Sequence, residues 1–244
     1  MEPVTWPSTT PTLCTLGSSS KGNAYILTCG LNHLLIECGL PFKFVLKALA
    51  YDVTCIAGCI LSHRHLDHSK YIKQFKDYNI KVYSNADNPD TLTLQPKQTY
   101  TIGAFKVMPL QVPHGDCTNY AYVIEHPDCG RVVFCTDAEN FPYNIPDVSS
   151  LIIEANYCED LLVDALMDDK AIHSQSHTHM EIDTTTSVVK RLVSPKLMRV
   201  VLIHLSGGFS DEKAFKSRIR EVSAFASVHS AASEPIIDMS KDPF

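Results

Sequence analysis

The chain has 244 residues, 45% of them hydrophobic and 20% charged, and a formal net charge of −6. That is long enough and apolar enough for one sizeable core, and too acidic overall for a surface that coats nucleic acid indiscriminately. No apolar run approaches the roughly 20 residues of a membrane-spanning helix, so no membrane partner is expected.

The opening stretch, residues 1–11, is rich in Pro, Ser and Thr and reads as a leader with little structure of its own, not as a secretory signal. Leu13 to Leu16 then begins a strand that stops at Gly17-Ser18-Ser19-Ser20-Lys21-Gly22-Asn23. This loop lacks the GxxxxGK[ST] order of a P-loop and has no helix behind it; its small residues let it run close to a site without crowding it. Ala24 to Thr28 and His33 to Glu37 form a hairpin pattern around Gly30-Leu31-Asn32. Phe42 to Ala50 has helical spacing, with Phe42, Val45, Leu46 and Leu49 on one face. Cys55 to Leu61 reads as a buried strand and Tyr71 to Lys76 as an amphipathic helix. Further strands are expected at Lys81–Ser84, Gln98–Ile102, Phe105–Val112, Tyr120–Glu125, Arg131–Thr136, Ser150–Glu154 and Val200–Ile203. Helices are expected over Asn156–Asp169, Asp183–Leu192 and Asp211–Phe225. Two strand-rich halves, each ending in helices and joined without a Gly/Ser linker, predict one α/β domain over 12–225, a four-layer αββα sandwich. Residues 226–244 show little periodicity and are expected to form a tail that packs along the surface or mediates contacts. The nine cysteines include no CxxC pair and several fall within strands, which points to reduced core residues and a cytoplasmic location.

Between the strand ending at Leu61 and the helix starting at Tyr71 lies His63-Arg64-His65-Leu66-Asp67-His68. On such a turn His63 and His65 can face one way and Asp67 and His68 another. Two imidazoles one residue apart can chelate one metal ion, and an adjacent carboxylate and imidazole can reach a second. Three more candidates follow in order, each just past a run of β-branched or aliphatic residues: His114 after Val112-Pro113, Asp137 after Val132 to Thr136, and His204 after Val200 to Ile203. Strand ends are where functional side chains concentrate.

This His-x-His-x-Asp-His motif, followed by a lone His, an Asp and a last His, resembles the metallo-β-lactamase-fold superfamily. The resemblance implies a metal-dependent hydrolase with two divalent ions, Zn²⁺ or Mn²⁺. His63, His65 and His114 would hold one ion, Asp67, His68 and His204 the other, and Asp137 would bridge them. A shared water would be the nucleophile, with Asp67 orienting or deprotonating it. The loop at 17–23 and Leu35-Ile36-Glu37-Cys38-Gly39-Leu40 are similar to the YycJ/WalJ-like nuclease branch, where relatives usually have Asp in place of Glu37. Ser176-His177-Thr178-His179-Met180-Glu181 lies where YycJ-like and tRNase Z-like proteins carry Gly-His-x-Ser. This makes His179 the expected proton donor to the leaving group, with His177 as the alternate and Glu181 in the place of a Ser. The resemblance spans about residues 13–225 and implies a nuclease, a 5′ exonuclease on DNA, with RNA as the near alternative. Arg64, Lys70, Lys73 and Lys76 beside the turn, with Lys43 and Lys47 upstream, read either as solvated helix faces or as a phosphate track. Two other readings fit the same residues: a hydrolase of small esters, thioesters or cyclic nucleotides, and a binding or sensor protein that keeps metal without turnover.

Overall fold

A computed structural model describes residues 10–115, 117–164 and 178–241. The logic of the fold shows in the strand Arg199–Ile203, buried at every position. Side chains alternate across a strand, so a strand apolar on both faces must be covered on both. Val201 and Ile203 join Tyr25, Leu27, Ile36, Tyr122 and Phe134 in a core between two sheets. Val200 and Leu202 face the other way, against Val188, Val189, Leu192 and Phe215 of two outer helices. A third cluster packs Phe42, Val45 and Phe75 onto the outer face of the other sheet. The result is the expected αββα sandwich.

The first sheet is built from β1 (Thr12–Gly17), β2 (Ala24–Cys29), β3 (Asn32–Ile36), β4 (Ile56–Ile60), β5 (Val82–Ser84) and β6 (Leu92–Thr93), with α1 (Lys43–Ala48), α2 (Leu66–Ser69) and α3 (Ile72–Asp77) between its strands. The second contains β7 (Tyr100–Ile102), β8 (Phe105–Val112), β9 (Asn119–His126), β10 (Gly130–Cys135), β11 (Ser150–Glu154) and β12 (Arg199–Ile203). Its helices are α4 (Glu159–Asp164), α5 (Ile182–Leu192) and α6 (Glu212–Val222). Two further strands close the chain: β13 (Ser227–Ser230) and β14 (Ile236–Asp238). Among the described residues each sheet has seven strands, in the orders β14-β1-β2-β3-β4-β5-β6 and β13-β12-β11-β10-β9-β8-β7. Tyr25 and Phe134 meet edge-to-face across the interior, with ring centroids 5.5 Å apart, the geometry that ring quadrupoles favour.

Strands β3 to β6 run parallel to one another, and so do β10 to β13. The carboxyl ends of each parallel group gather on one edge, where α/β sheets place their ligand sites. No described helix is long and apolar enough to cross a membrane.

The segment after residue 225 departs from expectation. β13 pairs parallel with β12, and β14 pairs antiparallel with β1, so the chain crosses from one sheet to the other and adds an edge strand to each. Runs of four and three residues with polar ends carry too few periods for alternation to be read. The turn joining them is held by Glu234, whose carboxylate accepts from Lys216 Nζ at 2.5 Å and lies 2.6 Å from His229 Nδ1. Burial opposes ionisation here, but Lys216 and His229 outweigh it and hold the carboxyl at about 2, below its ordinary 4.5. A carboxyl depressed on folding stabilises above its unfolded value, and that contribution is lost as pH falls through the folded one. The melting temperature of Glu234→Gln is therefore expected to fall less steeply than that of the unchanged protein between pH 4.5 and 2; identical acid limbs would contradict it.

The predicted helix over Asn156–Asp169 is seen as α4, and its positions 165–169 lie outside the described residues, as do His177 and residues 1–9. Glu181 caps α5, its carboxylate accepting from the backbone N–H groups of Asp183 and Thr184, a common way to satisfy a helix start.

Candidate metal centre

Glu37, His63, His65, His114, Asp137 and His204 leave the ends of strands or the turns behind them, whereas Asp67 and His68 lie in the short α2 and His179 just ahead of α5. Three of these residues, Glu37, Asp137 and His204, have left-handed backbones, with φ of 65°, 48° and 54°. Such a conformation costs a residue bearing a Cβ on the order of 1–3 kcal/mol and clusters at functional sites. Here it turns each side chain off the line of its strand.

The eight predicted residues converge. His63, His65, His114 and Asp137 form one group whose donor atoms lie within 4.8 Å of one another, and Asp67, His68, Asp137 and His204 form a second. A third, Asp137, Glu154, His179 and His204, overlaps the second. In the first group, His65 Nδ1 faces His114 Nε2 at 3.2 Å, and His114 Nδ1 lies 2.9 Å from the carbonyl oxygen of Thr178. Donation to that carbonyl puts the proton on Nδ1 and leaves Nε2 as the electron-pair donor toward the cluster. His63 Nδ1 is 2.9 Å from Ser62 Oγ, which similarly orients its Nε2, 3.8 Å from Asp137 Oδ2.

In the second group, His68 Nε2 lies 3.2 Å from both Asp67 Oδ2 and Asp137 Oδ2, while its Nδ1 is 3.3 Å from Glu37 Oε2. Glu37 also accepts from the Ser62 N–H at 3.2 Å. It therefore supports the imidazole from behind, in keeping with the Glu-for-Asp exchange noted in the sequence. His204 Nδ1 lies 3.4 Å from Asp137 Oδ1 and 3.0 Å from Glu154 Oε1. His179 stacks on His204 with centroids 5.2 Å apart, its Nδ1 2.7 Å from the same Glu154 Oε1.

Three residues that sequence reasoning passed over complete this arrangement. Glu154, fully buried at the end of β11, holds both histidines through Oε1 and receives the N–H groups of Ala138 and Met180 on Oε2. Asn23 donates from Nδ2 to Asp67 Oδ2 at 3.3 Å, and Ser18 Oγ accepts from the backbone N–H of His204 at 2.8 Å. Glu154 carried the same signal as Asp137, a carboxylate ending an aliphatic strand.

The residues fit divalent cations. His63 Nε2 and His204 Nε2 are buried without a hydrogen bond, a costly state for polar atoms that have no other partner. Imidazole nitrogens and carboxylate oxygens together suit Zn²⁺ and Mn²⁺. The electrostatics agree. Burial pushes the imidazoles of His63 and His114 down and keeps them neutral, the form that binds metal. Burial acts the same way on His68 and His204, but Asp137 overrides it, aided by Glu37 at His68 and by Asp67 and Glu154 at His204. His68 is held well above its ordinary value and His204 at about 10. Asp137 and Asp67 go the opposite way, below the usual carboxylate range against their own burial. The ionised carboxylates hold His68 and His204 protonated, and a bound cation would take the place of those protons.

The lysines near the turn divide. Lys76 pairs with Asp90 at 3.3 Å, and Lys43 and Lys70 lie 5.6 Å from the rings of Phe44 and Tyr71.

Comparison of the sequence with family models and with curated proteins finds no match. Solved structures do match. The metallo-β-lactamase fold protein YhfI from Bacillus subtilis is 21% identical, with 94% of this chain covering 99% of that one at a TM-score of 0.72. A diphosphatase from the PhnP family is 16% identical, covering 89% and 93% of the two chains at 0.64. Human tRNase Z, short form, is 14% identical, covering 93% and 99% at 0.62. This chain has the metallo-β-lactamase fold.

Proposed function

We propose that this protein is a metal-dependent phosphodiesterase that degrades nucleic acid as a 5′ exonuclease, with DNA as its substrate ahead of RNA. The observation that carries this reading is His179, held by the buried Glu154 beside the second donor group, where a leaving oxygen would need a proton. Two of the fold neighbours, a diphosphatase and a tRNase, have names that point to phosphate chemistry; fold alone does not choose a reaction.

His63, His65 and His114 would hold one ion, Asp67, His68 and His204 the second, with Asp137 between them, as Zn²⁺ or Mn²⁺. When bound, such ions lower the pKa of water and neutralise charge on phosphoryl oxygens. The chain supplies the rest. Asp67, partly exposed and fixed by Asn23, orients the attacking water. Burial pushes His179 down, but Glu154 outweighs it and raises its pKa, so the imidazole stays protonated to higher pH and serves as general acid.

The sign of that coupling is testable. In Glu154→Gln the pKa of His179 drops, so the alkaline limb of the pH–rate profile is expected to move to lower pH, with a rate loss of about 10–100-fold. An unmoved limb would show that Glu154 does not act through His179.

The experiment for the function itself is to strip metal, restore Zn²⁺ or Mn²⁺ separately, and incubate with 5′- or 3′-labelled single- and double-stranded DNA and RNA. Metal-dependent shortening from the 5′ end of DNA, absent in Asp67→Ala, is the expected result. Cleavage of no strand with either metal would remove the reading. Turnover of small esters, thioesters or cyclic nucleotides would then make it a small-molecule hydrolase, and bound metal without any turnover a sensor.

A further inference from the structure

The loop between β1 and β2 is anchored to the second donor group at both ends, yet its tip reaches solvent. Ser18 Oγ accepts from the N–H of His204 at 2.8 Å and from Tyr25 Oη at 2.7 Å. At the other end the Asn23 N–H donates to the carbonyl of Asp67 at 2.8 Å, and its side chain touches Asp67 and His68. The loop is also tied internally, Gly22 N–H to Ser19 O at 2.9 Å and Lys21 N–H to Ser19 Oγ at 3.3 Å. Gly22 has φ +152°, and a Cβ there would stand 2.6 Å from Leu40 Cδ2 and 2.8 Å from Gly39 O, so only glycine fits this fold-back. Ser20 and Lys21 are nevertheless exposed. Among the described residues no carboxylate pairs with Lys21. A turn tied to the second donor group at both ends, carrying an exposed hydroxyl and an exposed ammonium that no carboxylate among the described residues pairs with, has the chemistry of an anion subsite.

Carboxylates gather near the starts of α4 and α5. Tyr157 lies among Glu181, Glu159, Glu154 and Glu139, whose charges add to burial in pushing its hydroxyl up to about 12. Glu159 begins α4, and Glu181 caps α5 with its carboxylate.

We infer that residues 18–22 form a phosphate subsite next to the second donor group, where Lys21 and Ser20 hold the phosphate adjacent to the scissile one. The nucleic-acid strand then crosses the site over this loop. The inference rests on the phosphodiesterase reading and names its substrate as a polyanion with neighbouring phosphates, not an isolated diester.

Binding tests it apart from turnover. Fluorescence anisotropy of a fluorescein-labelled single-stranded DNA is measured on metal-free protein over a range of KCl concentrations. Lys21→Glu is expected to raise Kd by about 10-fold or more. It should also flatten the slope of log K against log salt by about 0.7, the share of one phosphate contact on a single strand. Glu159→Gln should leave Kd unchanged or tighten it. With metal restored, the KM of the oligonucleotide should rise by the same factor in Lys21→Glu. Hydrolysis of bis(4-nitrophenyl) phosphate, which has no neighbouring phosphate, should change far less. An unchanged Kd and salt slope in Lys21→Glu would overturn the subsite. DNA bound through Lys21 but never cut would instead sink the hydrolase reading and leave the subsite standing.

Discussion

Replacing Asp137 by alanine is expected to cost the protein its metal and more than about 100-fold in hydrolysis, beyond the 10–100-fold typical of residues that merely support ligands. Asp137 belongs to all three donor groups. Its Oδ2 lies 3.2 Å from His68 Nε2 and 3.8 Å from His63 Nε2, and its Oδ1 3.4 Å from His204 Nδ1. Thr136 Oγ1 donates to Oδ1 at 2.9 Å and fixes the rotamer. Removing the carboxylate leaves the imidazoles facing one another with less negative charge to draw a cation in. Asp137→Asn separates charge from shape, because it keeps the volume and an acceptor for Thr136. Metal content by mass spectrometry together with turnover checks the assignment; a variant that retains both ions and full activity would end it.

His179→Ala is expected to leave metal content intact and slow DNA cleavage by about 10²–10⁴-fold, the usual worth of a positioned general acid. The loss should depend on the leaving group. A sugar hydroxyl departing as an alkoxide needs a proton, whereas 4-nitrophenolate is stable without one, so bis(4-nitrophenyl) phosphate should slow only a few-fold. The ratio of the two losses is the informative number. Equal losses on both substrates would mean that His179 holds the site together and does not donate the proton. That outcome would trace to its 2.7 Å contact with Glu154, a fully buried carboxylate that also touches His204.

Much of this site was legible in the chain because its signals are local. The spacing of His63, His65, Asp67 and His68 spans six residues, and His114, Asp137 and His204 each follow an apolar run that announces its own end. The same signal stood at Glu154, after Leu151, Ile152 and Ile153. A carboxylate ending a strand reads by default as a solvated terminus, and only the fold buries it beneath two histidines 25 and 50 residues away. Asn23 and Ser18 are less legible still, since their partners Asp67 and His204 lie 44 and 186 residues distant. The closing strands escaped for a different reason. Ser227–Ser230 and Ile236–Asp238 are strands because β12 and β1 offer them open edges, not because three or four residues carry a period of their own.

By itself, then, the sequence determined what depends on near neighbours: two-faced strands that demand a layer on each side, amphipathic helices to cover them, and a stock of imidazoles and carboxylates placed at strand ends. Which of those donors come within reach of one another, which carboxylate props which imidazole, and where the loop between β1 and β2 is anchored were decided only when two parallel strand groups brought their carboxyl ends to one edge. Periodicity is set by contacts two to four residues apart, whereas convergence is set by chain closure over tens to hundreds of residues, and no local pattern carries that information.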